Sequence, residues 1–167
     1  YKGNEEKGGY NVVLLDEHFD PITLYLNLTY EDPIWREIVG DVRFRKALSI
    51  GMDRQEIIET LFYGLAKNPE TTVPSEFDLE EANRLLDEVG LKERDEQGYR
   101  LRPDGNVFEI FIETADHKTG FVPAAEMLAS QFDDNLGIKV SVKKISRELW
   151  GQRSSANQLK STIFWAH

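Results

Sequence analysis

The chain contains no cysteine, which excludes a disulfide framework, a zinc knuckle and a thiol nucleophile and leaves the compartment open. It also lacks any run approaching the roughly 18 apolar residues that a bilayer-spanning helix needs. No initiator methionine and no basic-then-apolar leader precede Tyr1, so the sequence reads as an excised piece. Clustered positive charge is missing as well. Asp and Glu number 30 against 20 Lys and Arg, for a formal net charge of −10, and a surface that cannot neutralise phosphates is a poor partner for nucleic acid. There is no Gly-x-Ser-x-Gly elbow, no phosphate loop and no dinucleotide glycine pattern. His18, His117 and His167 are too far apart for the i, i+4 pairing of a helical metal site, so neither a metal nor a cofactor is expected.

What is present suits one well-solvated α/β domain. Hydrophobic residues make up 40% of 167, enough for a single core, and 30% are charged. No internal repeat or low-complexity tract interrupts them. Residues 1–10 are polar and glycine-rich and read as a flexible leading segment, with a single domain over 11–167. Asn11 to Leu15 and Ile22 to Leu28 read as strands separated by Asp20-Pro21. Asp32-Pro33 starts a short helix through about Val39. Asp41 and Asp53 cap the next two, with Gly64 as the stop of the second. Residues 67–77, with Pro69 and Pro74, read as a loop. Asp78 caps a helix to Val89, with Glu81 placed to complete a capping box and Leu79, Ala82, Leu85, Leu86 and Val89 on one face. A weak strand at Tyr99 to Leu101 precedes a central strand at Val107 to Thr114. A helix then runs from Phe121 to Leu136, a strand from Ile138 to Ile145, a helix capped by Ser146 to about Arg153, and a last strand from Thr162 to Trp165. Strands alternating with helices predict a sheet with helices on its faces.

The stretch Asp41-Val-Arg-Phe-Arg-Lys-Ala-Leu48, followed by Met52-Asp-Arg-Gln-Glu-Ile-Ile58, resembles the hallmark of the family 5 extracellular solute-binding proteins, the peptide, dipeptide and nickel receptors of ABC importers. The resemblance continues in order through Leu79 to Leu91, Tyr99 to Gly105, Ala125 to Ala129, Leu136 to Val140 and Ile163 to Trp165, and so spans about residue 11 to 167. It implies one lobe, on the C-terminal side, of a two-lobed type II periplasmic-binding-protein-like fold, with a mixed sheet flanked by helices. The implied role is capture of an oligopeptide in the extracytoplasmic space, in the periplasm or lipid-anchored at the outer face of the membrane, for delivery to the membrane subunits of an ABC importer. The same role with an oligosaccharide is the alternative, and an α/β hydrolase fragment a distant one. The lobe itself is expected to be monomeric. Most relatives have a longer stretch at 67–77, which here is either naturally short or trimmed.

For the ligand, the resemblance points to Asn27 in the strand before the hallmark and Trp165 in the exit strand. Peptide-binding relatives follow this Trp closely with an Asp that takes the peptide's amino terminus, a position not reached by Trp165-Ala166-His167. Oligopeptide-binding relatives also place arginines shortly before it. Arg153 occupies such a place, and Thr162 stands where a second arginine is expected. Trp165 is expected to be substantially exposed as an apolar platform. Residues Arg43 and Arg45 point to different faces of a helix and are expected to form local ion pairs with Asp41 and Asp53. Glu109 and Glu113 share a strand face opposite Ile110 and Ile112, which makes them a solvated edge and not the paired acids of a glycosidase. Asn27-Leu-Thr29 matches a glycosylation sequon inside a predicted strand and is read as incidental.

Overall fold

Aspartate and serine side chains start the helices by accepting backbone N–H groups that the first helical turn leaves unpaired. The computed structural model describes residues 2–13, 22–66, 76–115 and 120–165. Within it Asp32 caps α2 (Pro33–Gly40), Asp41 caps α3 (Val42–Ile50), Asp53 caps α4 (Arg54–Phe62), Asp78 caps α5 (Leu79–Glu88) and Ser146 caps α7 (Arg147–Ser155). The long helix α6 (Phe121–Leu136) has no side-chain cap. The leading residues include a single helical turn, α1 (Glu5–Gly8), with no buried side chain.

Four strands, β1 (Ile22–Leu26), β2 (Glu109–Ala115), β3 (Lys139–Ile145) and β4 (Ser161–Trp165), form one mixed sheet in the order β1-β4-β2-β3. β2 pairs in parallel with β3 and β4, while β1 runs antiparallel to β4 along the sheet edge. One face, carrying Ile110, Ile112 and Ile163, packs against Phe121, Ala125, Leu128, Phe132 and Leu136 of α6 in the hydrophobic core. Helix α2 and the first hallmark helix, α3, attach to the same core through aromatics. Trp35 stacks on Phe108 at 5.6 Å between ring centroids, and Phe44 meets Phe108 edge-on at 5.3 Å. The ammonium of Lys160 lies 4.6 Å from the centroid of the Trp35 ring.

Arg100, 1% exposed, ties α5 to the end of α6. Its guanidinium donates to Leu136 O at 2.7 Å, Leu91 O at 2.6 Å, Asn83 Oδ1 at 2.7 Å and Asp87 Oδ1 at 2.5 Å. A buried charge with its donors placed in this way avoids most of the cost of leaving water.

Several local expectations are corrected. Residues 11–13 are not strand, and the remainder of that predicted segment lies outside the described residues, as do all three histidines. β1 ends at Leu26, so the Asn27 sequon sits in a turn. Residues 99–101 form only isolated bridges, Arg94 with Arg100 and Leu101 with Val107. The capping box of α5 is half made: Asp78 accepts from Glu81 N, but Asp78 N donates to Ile50 O, and Glu81 instead pairs with Arg84 and Lys46. Arg43 pairs with Asp41 at 2.6 Å, whereas Arg45 reaches back to the carbonyls of Val39 and Gly40, both at 2.7 Å, and not to Asp53. The expectation of a solvated edge fails at Glu113, which is 2% exposed. Strand alternation correctly puts it opposite Ile112, but β2 is an interior parallel strand and α7 covers its second face.

Candidate functional site

The sheet face turned away from the main core is the more polar one, and on β1 and β4 it is only partly covered. Alternation gives it Thr23 and Tyr25 from β1 and Thr162 and Phe164 from β4, in facing pairs. α7 forms one wall. Trp150 stacks on Phe164 at 4.6 Å with 12° between the rings and donates its indole N–H to Thr162 Oγ1 at 2.9 Å. Tyr25 is 42% exposed and leans along the face, its hydroxyl donating to Trp165 O at 2.9 Å. At the other end the groove widens into a cavity of about 200 Å³ lined by Tyr25, Asn27, Ser154, Asn157 and Thr162 among others.

The three residues expected to face a ligand do not meet. Asn27 and Trp165 stand at opposite ends of the β1–β4 pair: Asn27 N donates to Lys160 O at 3.0 Å, just before β4, whereas Trp165 is the partner of Ile22. Five strand residues separate the two ends, roughly 17 Å of extended chain. Trp165 is half-buried, not substantially exposed, because Phe121 and Phe164 meet its ring edge-on at 5.1 and 5.3 Å. Part of it stays open at the carboxyl ends of the strands, the edge where open α/β sheets commonly place ligands.

The polar atoms of Asn27 hold a turn. Its Nδ2 donates to Asn157 Oδ1 at 2.9 Å and Leu159 O at 2.8 Å, and its Oδ1 accepts from Thr29 N at 2.9 Å. The Thr29 hydroxyl lies 3.0 Å from Asn27 Oδ1 and 3.1 Å from Asn157 Oδ1, one of which takes its proton. Asn157 Nδ2 closes the ring by donating to Thr29 O at 3.0 Å. This arrangement uses Asn157 at a φ of +57°, a left-handed conformation that Asn tolerates better than most residues.

Arg153, next to Ser154 of the cavity wall, is likewise engaged. Its Nε and Nη2 donate to Glu113 Oε2 at 3.1 and 2.7 Å, and Nη2 also donates to Gln158 O at 3.2 Å. Lys143 Nζ lies 3.9 Å from the other Glu113 oxygen. Below the turn, burial pushes the Lys160 ammonium below the usual lysine range, with nearby Asp32 opposing that effect. Tyr25, Asn157 and Thr162 thus line the cavity together with Asn27, while Trp150, Glu113 and Arg153 pack beside Thr162, and Trp165 lies on the α6 face. The period of two in Ile22 to Leu26 signals Tyr25. Nothing local signals Asn157, whose partners are more than a hundred residues away.

Among the described residues no group of three or more His, Asp or Glu side chains is placed to hold a metal ion, and no helix is long and apolar enough to cross a membrane.

Comparison with known proteins identifies this architecture. Over 98% of its length the chain superposes on a structure of the oligopeptide-binding protein OppA, at 30% identity and a TM-score of 0.84, while covering 28% of that protein. A mannohexaose-bound periplasmic oligopeptide-binding protein of Thermotoga maritima matches over 87% of this chain and 29% of its own, at 19% identity and a TM-score of 0.72. NikZ from Campylobacter jejuni in complex with Ni(L-His) matches over 87% and 29% respectively, at 20% identity and a TM-score of 0.70. The last two likenesses speak to fold alone. No curated protein sequence matches the chain. A family profile described as bacterial extracellular solute-binding proteins, family 5 (middle), matches residues 4–166, and the chain belongs to that family.

Proposed function

We propose that this chain is the ligand-capturing lobe of an extracytoplasmic receptor that delivers oligopeptides to the membrane subunits of an ABC importer, anchored by lipid or free in the periplasm. Family 5 solute-binding proteins are ligand receptors and not enzymes, which removes the hydrolase alternative. The observation that carries the peptide reading is the partly covered face of the antiparallel β1–β4 pair, five strand residues long. It has stacked aromatics at one end and, at the other, a cavity beside a self-satisfied polar turn. The likeness to OppA supports it. A second lobe closing over the groove would bury the ligand and supply the other half of its contacts.

Stacked aromatics also suit sugar rings, and the mannohexaose-bound relative favours an oligosaccharide as the second reading. In either case Trp165, which alternation along β4 turns to the α6 face and not into the groove, meets a ligand at the strand ends or reports closure, whereas Asn27 and Arg153 lie behind the groove. A thermal-shift and tryptophan-fluorescence screen of the two-lobed protein against short peptides, oligosaccharides and nickel separates the readings. Stabilisation by peptides is the expected result. Stabilisation by sugars alone keeps the receptor role and discards the peptide.

A further inference from the structure

Next to Ser154 in the cavity wall, Arg153 carries a guanidinium that has no fork to offer an anion. We propose, on the basis of the receptor reading above, that Glu113 is a specificity determinant: by holding Arg153 it makes this lobe indifferent to a ligand's terminal carboxylate. The ligand is then gripped along an uncharged stretch and not by its end.

A carboxylate bound in a fork needs two parallel N–H donors on one edge of the guanidinium. Glu113 Oε2 takes the edge formed by Nε and Nη2, at 3.1 and 2.7 Å, and Gln158 O takes an Nη2 donor at 3.2 Å, which spoils the remaining edge. Glu113 is 2% exposed and, among the described residues, has Lys143 at 3.9 Å as its second cation. If Arg153 turned toward a ligand, a buried carboxylate would lose its closest partner, the costly way to break such a pair. The pair belongs to the groove because Ile112 faces Ser161 in register, which sets Glu113 beside Thr162 on the same sheet face. Around it several of the polar groups are occupied. The Thr162 hydroxyl accepts the Trp150 indole N–H, and Asn27, Thr29 and Asn157 bond one another. A ligand segment that fits here meets backbone, hydroxyl and aromatic surface without an unmatched charge.

The test compares one peptide sequence as free acid and as C-terminal amide, together with a neutral and a carboxylated oligosaccharide, by calorimetric titration of the two-lobed protein. The variants are Glu113→Gln, which keeps the shape of the side chain, the double variant Glu113→Gln/Arg153→Gln, and Arg153→Lys, which keeps the charge without a fork. The unaltered protein is expected to bind acid and amide within about twofold of each other. Glu113→Gln should gain about a tenfold preference for the free acid, as a released charge-assisted fork predicts, and the double variant should return to parity. A purely structural clamp would shift both peptides equally. Two results overturn the proposal: a folded Glu113→Gln variant that stays at parity, or a strong free-acid preference in the unaltered protein that Arg153→Lys abolishes. The second comparison stands even if Glu113→Gln does not fold. Binding of the neutral oligosaccharide alone removes the peptide reading and supports the uncharged groove, whereas selective binding of the carboxylated one removes both.

Discussion

Asp32 shows how one carboxylate serves two levels of structure. It caps α2 through Ile34 N at 3.0 Å and Trp35 N at 3.2 Å, and it takes Arg102 Nη1 at 2.5 Å from a turn seventy residues away. Burial raises its pKa, but the Arg102 guanidinium and the two backbone N–H groups outweigh that effect and hold it below the usual carboxylate value. Its folded pKa is therefore lower than its unfolded one. The resulting stability is fully present above the ordinary carboxylate value, near pH 4, and is lost as pH falls through the folded value. Asp32→Asn keeps a capping oxygen but loses the ion pair, and is expected to cost about 1 kcal/mol at neutral pH after allowance for solvent screening. Denaturant titrations of both proteins at pH 7 and in acid check this: the gap should narrow in acid, and a gap independent of pH would refute the linkage. The cap was legible in the sequence because its geometry spans three residues. The Arg102 partner was not, since a contact across seventy residues leaves no local pattern.

At the scale of elements, the join between α6 and β3 turns on one glycine. Gly137 adopts a φ of +64°, and its N–H donates to Asp133 O at 3.2 Å, ending the helix in a left-handed residue. A Cβ there would sit 2.7 Å from Gly98 O and 1.9 Å from Arg94 Nη1. Gly137→Ala is expected to lose about 1–2 kcal/mol from the backbone conformation alone, and more from displacing Arg94. A denaturation midpoint equal to that of the unaltered protein would contradict this. This helix end, like the other caps, was readable because Gly follows an apolar stripe. The relation between elements was harder to read. Alternation places Glu113 on the face opposite Ile112, but whether that face meets water depends on where α7 lies. Glu109, on the same face, keeps partial exposure and bonds the Ser141 hydroxyl. For Trp165, sequence order places it at a strand end without revealing Phe121 and Phe164 against its ring. Asn27 looked like a lone polar residue in a strand, and its partners, Asn157 and the carbonyl of Leu159, lie on a turn that follows a different helix.

On the scale of the whole molecule, folding and binding separate. Core residues come from α2, α3, α5, α6 and three of the four strands, with Trp35, Phe44, Phe108, Phe121 and Phe132 at 1% exposure or less. That contiguous core is the physical requirement for independent folding, so this lobe is expected to melt cooperatively by itself. Its groove lies on the opposite face, where a ligand touching only one wall keeps much of its surface in water and must still give up its translational freedom. On the receptor reading proposed above, the isolated lobe is therefore expected to bind peptides at least about a hundredfold more weakly than the two-lobed protein, a loss of the size that missing contacts and absent closure produce. Titrating both forms with the same peptide decides the matter. Comparable micromolar binding by the lobe alone would mean that the groove, and not closure over it, holds the ligand. Much weaker binding by a lobe with an intact melting transition would locate the missing affinity in the opposing wall.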